Sequence, residues 1–217
     1  MRITHFLLAT HPALHCPWQE VLPVCRIAAM RHPRIIIEVP SWLKPFLGQL
    51  DRLFDTVEQR MQLAIDLSCL NIQHRTGGPF GAAVFEEPSG RLLSVGANLV
   101  VSAHCSVAHA EMVALILAQQ ARGRYDLGGP GSLPCQLVTS CEPCAMCLGA
   151  IPWSGVKSVV CGARGEDAES VGFDEGAKPV DWVSALESRG IAITRDVLRQ
   201  QARSVLLDYR QGGGVIY

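Results

Sequence analysis

Two short stretches constrain this chain more than any other feature. They are "AHAE", with His109 and Glu111, and "PCAMC", with Pro143, Cys144 and Cys147. Each follows a run that reads as β structure, and each opens a run that reads as helix. Roughly one helix–strand unit separates them. Cys144 and Cys147 are one helical turn apart, so both thiols face one side of a helix start. The positive end of a helix favours thiolates there. His109, from a second helix start, closes a triangle of ligands. A catalytic zinc takes three protein ligands and keeps a fourth position for water. Glu111, two residues beyond His109, lies near that water without binding the metal. Any fold for this chain must therefore bring two helix starts together.

Neither half is specific alone. A lone H-A-E triplet is common, and a lone C-x-x-C is equally a redox pair or half of a structural zinc site, with His104 and Cys105 as candidates for the other half. The joint pattern H-x-E…P-C-x-x-C is the zinc-deaminase signature, with one zinc ion per chain. Pro143 suits the first turn of a helix. Cys144 and Cys147 then lie in and after that turn. Cys141 precedes the proline and is expected to be a non-ligand on the pocket wall. Nine cysteines, an odd count without framework spacing, do not make a disulfide scaffold. A reducing, cytoplasmic setting is expected. The formal net charge of −1 gives no electrostatic reason for a nucleic-acid or membrane partner. No apolar run is long enough to span a bilayer.

Six prolines between Pro12 and Pro45 prevent a long helix in residues 1–48, which read as an irregular leader. One reading takes Met30 as the true start. Residues 49–217 read as one domain. Leu53, Val57, Met61, Ala64, Ile65, Leu67 and Leu70 form a helical stripe. "GGPFGAAVF" and "RLLSVGANLV" read as a hairpin joined by "EEPSGR". A helix over 108–121 follows, then strand "CQLVTS", helix "CAMCLGAIPW" and strand "VKSVVCGA". A Gly-rich acidic loop leads to helices over 181–188 and 196–210, with strand "IAIT" between them. The tail "QGGGVIY" reads as flexible apart from its last apolar residues. Strands alternating with helices predict an α/β fold with a mixed or largely parallel sheet covered on both faces.

The segments "GGPFGAAVF", "GANLVVS", "AHAE", "TSCEPCAMCLGAIPWSGV" and "GFDEG", with the aromatic C-terminus, resemble the cytidine-deaminase-like superfamily. Within it they are most similar to the bacterial guanine deaminases, over roughly residues 50–217. The resemblance implies a three-layer α/β/α sandwich with a mixed sheet of about five strands. It implies zinc-dependent hydrolysis of guanine to xanthine and ammonia by a homodimer whose C-terminal segments exchange. It assigns His109, Cys144 and Cys147 to zinc and Glu111 to the proton shuttle. Asn98 falls to the base, Phe80 and Trp153 to the pocket, and Phe173 to a stacking position. Asp174 and Glu175 share an acidic stretch that recognises or protonates the amino group; Glu175 is favoured. Tyr217 matches the aromatic end that closes the pocket. Ammeline presents the same amidine edge as guanine. A tRNA adenosine deaminase shares the zinc motif but calls for a positive RNA-binding surface. A zinc-stabilised interaction domain would have no use for Glu111.

Overall fold

A computed structural model describes residues 36–50, 53–87 and 89–217. The expected leader up to residue 35, with Met30 and the proposed start there, lies outside the described residues. Residues 37–217 form one compact unit. Its five strands are β1 (Gly81–Glu86), β2 (Arg91–Ala97), β3 (Cys135–Cys141), β4 (Ser158–Ala163) and β5 (Ala192–Thr194). They lie in the order β2-β1-β3-β4-β5. β1 runs antiparallel to β2 and β3, while β3, β4 and β5 are parallel. The sheet is therefore mixed, as expected. The hairpin supplies its antiparallel end, and helical crossovers supply its parallel end.

Alternation along the strands divides the core. Ala83, Phe85, Val138 and Val160 join one cluster with Met61, Leu67 and Leu206. Ala82, Val84, Leu137 and Val159 join the other with Ala114, Leu115 and Ile151. Successive strand residues point to opposite faces, so helices cover both sides. α2 (Val57–Gln73) and α7 (Arg199–Gln211) pack on one face. α3 (Ala110–Arg122) and α4 (Ala145–Ser154) pack on the other. The expected α/β/α sandwich is the result.

Several elements differ from the sequence reading. α1 (Leu43–Leu47) falls within the expected leader, and Trp42 and Leu43 are buried in the first cluster. α2 begins only at Val57, because Thr56 caps it. Its hydroxyl accepts from Gln59 N, while the Gln59 side chain accepts from Thr56 N. The acidic loop after β4 contains a short helix, α5 (Gly165–Ser170), with Asp167 accepting from Arg164 N at 2.9 Å. Acidic residues suit a helix start, a signal masked by the neighbouring glycines. α6 (Trp182–Glu187) stands where a helix is predicted. The tail is ordered: Gly214 N donates to Tyr209 O, and the Tyr209 hydroxyl donates to Val215 O at 3.0 Å.

Candidate active site

The two motif halves occupy matching positions on two helices. His109 is the N-cap of α3 and Cys144 the N-cap of α4, both with extended backbone. Pro143 thus precedes the N-cap and is not in the first turn, a correction to the sequence reading. A proline there restrains the residue before it to extended conformations, and Glu142 continues directly from β3. Cys147 follows within the first turn of α4, and Glu111 within that of α3. α3 and α4 pack together, which brings the two starts side by side.

The ligand atoms of His109, Cys144 and Cys147 lie within 4.8 Å of one another. Cys144 Sγ is 3.5 Å from His109 Nδ1. Tetrahedral zinc with ordinary Zn–S and Zn–N lengths places such atoms about 3.5 Å apart, so the donor set fits that ion. Among the described residues this is the one such cluster. His104 and Cys105 do not belong to it. Cys141 is buried at the end of β3, where its thiol donates to Arg164 O at 3.5 Å, away from the ligand set.

Electrostatics prepare these groups. Hydrogen bonds from Cys147 and His109 overcome burial and bring the Cys144 thiol down to about 4. Burial opposes the His109 cation, but Cys144 and Glu111 outweigh it and raise its pKa. Glu111 is buried, and desolvation raises its pKa, helped by the Cys144 charge. Desolvation also pushes Glu175 up to about 8, against the opposing charge of Lys178. Two carboxyls whose proton affinity is raised by burial, beside one metal-binding cluster, are suited to proton transfer.

A cavity of about 200 Å³ adjoins the cluster, lined by Phe80, His109, Glu111, Glu142, Cys144, Phe173, Asp174, Glu175 and Tyr217. Of the sequence-derived site, only Asn98, Trp153 and Cys147 are missing from this wall. Cys147 is buried and belongs to the cluster that could hold a metal ion. Asn98 is buried too; Tyr217, which lines the cavity, donates to Asn98 Oδ1 at 2.6 Å. Trp153 is 84% exposed and stays outside the cavity, a correction to its expected placement. It lies near the C-terminal end of α4, whereas Cys144 marks the opposite end.

The loop after α5 separates the two acidic residues that the sequence left paired. Asp174 is exposed and accepts from Gly176 N at 2.8 Å. Glu175 is buried, and its Oε2 has no hydrogen-bond partner among the described residues. Its carbonyl accepts from Ala145 N at 2.9 Å, which docks the loop on the start of α4. Phe173 meets Phe80 edge-on at 4.8 Å between centroids and Tyr217 edge-on at 5.6 Å. Tyr209 stacks on Phe173 from α7. A Cβ on Gly214 would stand 2.3 Å from the Tyr209 ring, so the tail can lie flat there only with glycine.

Sequence reading missed Glu142, Lys178 and Tyr209. Glu142 sits inside the motif and accepts from Lys178 Nζ at 3.3 Å and Arg195 Nε at 2.6 Å. Its position between Cys141 and Pro143 was the available signal. Lys178 and Tyr209 carry no local signal; their roles come from contacts made across the fold. A separate cavity of about 430 Å³, lined by Arg75, Asp208 and Gly212–Gly214, holds none of the motif residues.

Comparison with known proteins agrees with this geometry. The chain is 39% identical over 118 residues to a guanine deaminase of Bacillus subtilis, spanning 54% of this chain and 71% of that one. It is 31% identical over 132 residues to a tRNA-specific adenosine deaminase of Buchnera aphidicola, spanning 60% and 79%. The solved guanine deaminase of Nitrosomonas europaea is 44% identical at a TM-score of 0.79, over 83% of this chain and 98% of that one. Another solved structure, in complex with 2,6-diaminopurine, is 48% identical at a TM-score of 0.77, over 84% and 95%. The family model of the cytidine and deoxycytidylate deaminase zinc-binding region matches residues 55–163. Ligand triad, neighbouring carboxyl and sheet order all accord with that match, and the chain belongs to this zinc-binding deaminase family.

Proposed function

We propose that the protein deaminates guanine hydrolytically, giving xanthine and ammonia. The observation that carries this reading is the small cavity in which Glu111, Glu175, His109 and Cys144 meet the rings of Phe80 and Phe173. The similarity to guanine deaminases selects the substrate. A cavity of about 200 Å³ closed by Tyr217 suits a free base. Ammeline shares the amidine edge and is the next substrate on this reading.

His109, Cys144 and Cys147 would hold a zinc ion, which would supply a hydroxide nucleophile at neutral pH. Phe173 and Phe80 hold the flat ring system against the ligand cluster. Asn98 donates its amide to an acceptor on the ring, because its Oδ1 already accepts from Tyr217 and from Val100 N. Glu111 takes the proton released by the attacking water and delivers it to the ring nitrogen beside the reacting carbon. Glu175, protonated at neutral pH, donates to the departing amine and takes back the proton of the added hydroxyl as the new carbonyl forms, so ammonia leaves. Tyr217 closes the cavity and excludes bulk water.

The tail of this chain caps its own cavity; segment exchange in a homodimer would make the same contacts between subunits. The exposed Trp153 ring supports a partner surface on α4, and light scattering that gives a monomer refutes it. Seven described cysteines are free, which supports a cytoplasmic location. No described helix is long and apolar enough to cross a membrane. Ammonia release from guanine, adenine, cytosine, cytidine, guanosine, ammeline and tRNA tests the substrate. Release from tRNA adenosine with none from guanine overturns the proposal.

A further inference from the structure

The polar groups behind Asn98, buried at Asn71 and half-buried at Thr76, form a directed chain. Trp42 Nε1 donates to Thr76 Oγ1 at 2.9 Å. Thr76 Oγ1 donates to Asn71 Oδ1 at 2.6 Å. Asn71 Nδ2 donates to Gly78 O at 2.9 Å and to Asn98 O at 2.8 Å. Its direction is fixed by chemistry. An indole N–H only donates and a backbone carbonyl only accepts. The Thr76 hydroxyl therefore receives from Trp42 and gives to Asn71, and both hydrogens of the Asn71 amide go to carbonyls.

Asn71 and Asn98 are buried, at 0% and 1% exposure, so water cannot replace these partners. The backbone crosses closely here. A Cβ on Gly77 would stand 1.8 Å from Asn98 O and 2.8 Å from Asn71 Nδ2. Asn98 is thus held by its N–H on Phe80 O, by its carbonyl under Asn71, and by its Oδ1 under Tyr217 and Val100. Its amide nitrogen donates to no partner among the described residues.

We propose that Asn71, Thr76 and Trp42 are positioning residues for base recognition, acting through Asn98. This rests on the functional reading above, in which Asn98 binds the ring. Trp42 lies before the region matched by the family model, so the segment around α1 acquires a task in the site. The Trp42 ring also stacks on His74 at 5.6 Å, which fixes the direction of its N–H. The relay sets where the Asn98 amide points and does not touch the reacting atoms. Loosening it should weaken substrate binding more than it slows chemistry.

The test uses the zinc-loaded full chain and four proteins: wild type, Thr76→Val, Thr76→Ser and Trp42→Phe. Guanine kinetics, zinc content and amide hydrogen exchange at Asn98–Val100 are measured for each. Thr76→Val keeps the shape and removes the hydroxyl. KM for guanine should rise about tenfold, with kcat changed less and zinc at one per chain. Thr76→Ser restores the hydroxyl and should stay within about twofold of wild type. Trp42→Phe, which keeps a stacking ring, should shift KM in the same direction by less. Exchange at Asn98–Val100 should quicken in Thr76→Val and not in Thr76→Ser. Unchanged KM and exchange in Thr76→Val, even with a lower Tm, overturn the relay. A serine variant as impaired as the valine variant overturns it too. A wild type that leaves guanine intact, with the exchange pattern still as described, sinks the functional reading and keeps the relay.

Discussion

Tyr217 makes two separable contributions to the site, and two substitutions divide them. Its hydroxyl donates to the buried Asn98 Oδ1 at 2.6 Å. Its ring packs edge-on against Phe173 and forms part of the cavity wall. Tyr217→Phe keeps the ring and deletes the donor. Asn98 Oδ1 then retains only the long 3.4 Å bond from Val100 N. A buried acceptor losing its strong partner costs about 1–2 kcal/mol, and kcat/KM for guanine should fall about five- to thirtyfold. Tyr217→Ala removes the ring as well, and water enters the cavity. Lost apolar burial of about 1–2 kcal/mol adds to the first loss, so the fall should go about five- to thirtyfold beyond that of the phenylalanine variant. The assay is steady-state ammonia release at fixed zinc loading, with zinc content measured on the same samples. Neither contact touches a metal ligand, so zinc should remain at one per chain. Alanine and phenylalanine variants with equal activity would refute the division. Wild-type activity in both would refute the role of the tail as a cap.

Other expectations follow from the same geometry. Glu111→Gln should keep zinc and lose at least about a hundredfold in kcat, as for a lost proton shuttle; near wild-type turnover contradicts the assignment. Cys144→Ala should abolish zinc binding by elemental analysis, whereas Cys141→Ala should keep one zinc per chain; the reverse pattern would move the ligand set. Glu175 has its pKa raised from 4.5 to about 8, so the folded state holds a proton that the unfolded chain releases. Its contribution is complete below pH 4.5 and declines as pH rises to about 8, on the order of a few kcal/mol. Urea unfolding at pH 6 and pH 9 should show Glu175→Gln losing less stability than wild type; equal losses refute it. Gly77→Ala drives a Cβ to 1.8 Å from Asn98 O and should yield little folded protein by circular dichroism; a wild-type Tm contradicts the close approach.

Local signals in this chain were read correctly where chemistry and local structure coincide. His109, Glu111, Cys144 and Cys147 belong to helix starts, and a helix start is visible in a few residues. The mixed sheet was legible because β1 and β2 flank a turn, while the other strands alternate with helices. Face and depth were less legible. Trp153 sits in a motif-rich segment, yet a mostly apolar helix does not reveal which face meets the cavity. Asp174 and Glu175 are neighbours of like charge, and contacts made across the fold, such as the hydrogen bond from Ala145 N to Glu175 O, distinguish them. Asn71, Thr76 and Trp42 are ordinary residues in sequence. Their importance comes from hydrogen bonds spanning up to 34 residues, which no periodicity records. The glycines of the tail predict flexibility for all but its last apolar residues. Here Gly214 instead permits flat contact with Tyr209.

The placement of the ligands on two helix starts has a consequence for how the chain folds. Cys144 and Cys147 are local partners, but His109 reaches them only after β3 docks between β1 and β4 and α3 packs on α4. A partly folded chain offers two thiols and no histidine nearby. The full tetrahedral affinity therefore belongs to the completed sheet, and metal capture acts as a late latch on the central strand. Zinc held there would bind the assembled sheet in preference to the open chain, so its removal should lower the Tm of the whole unit.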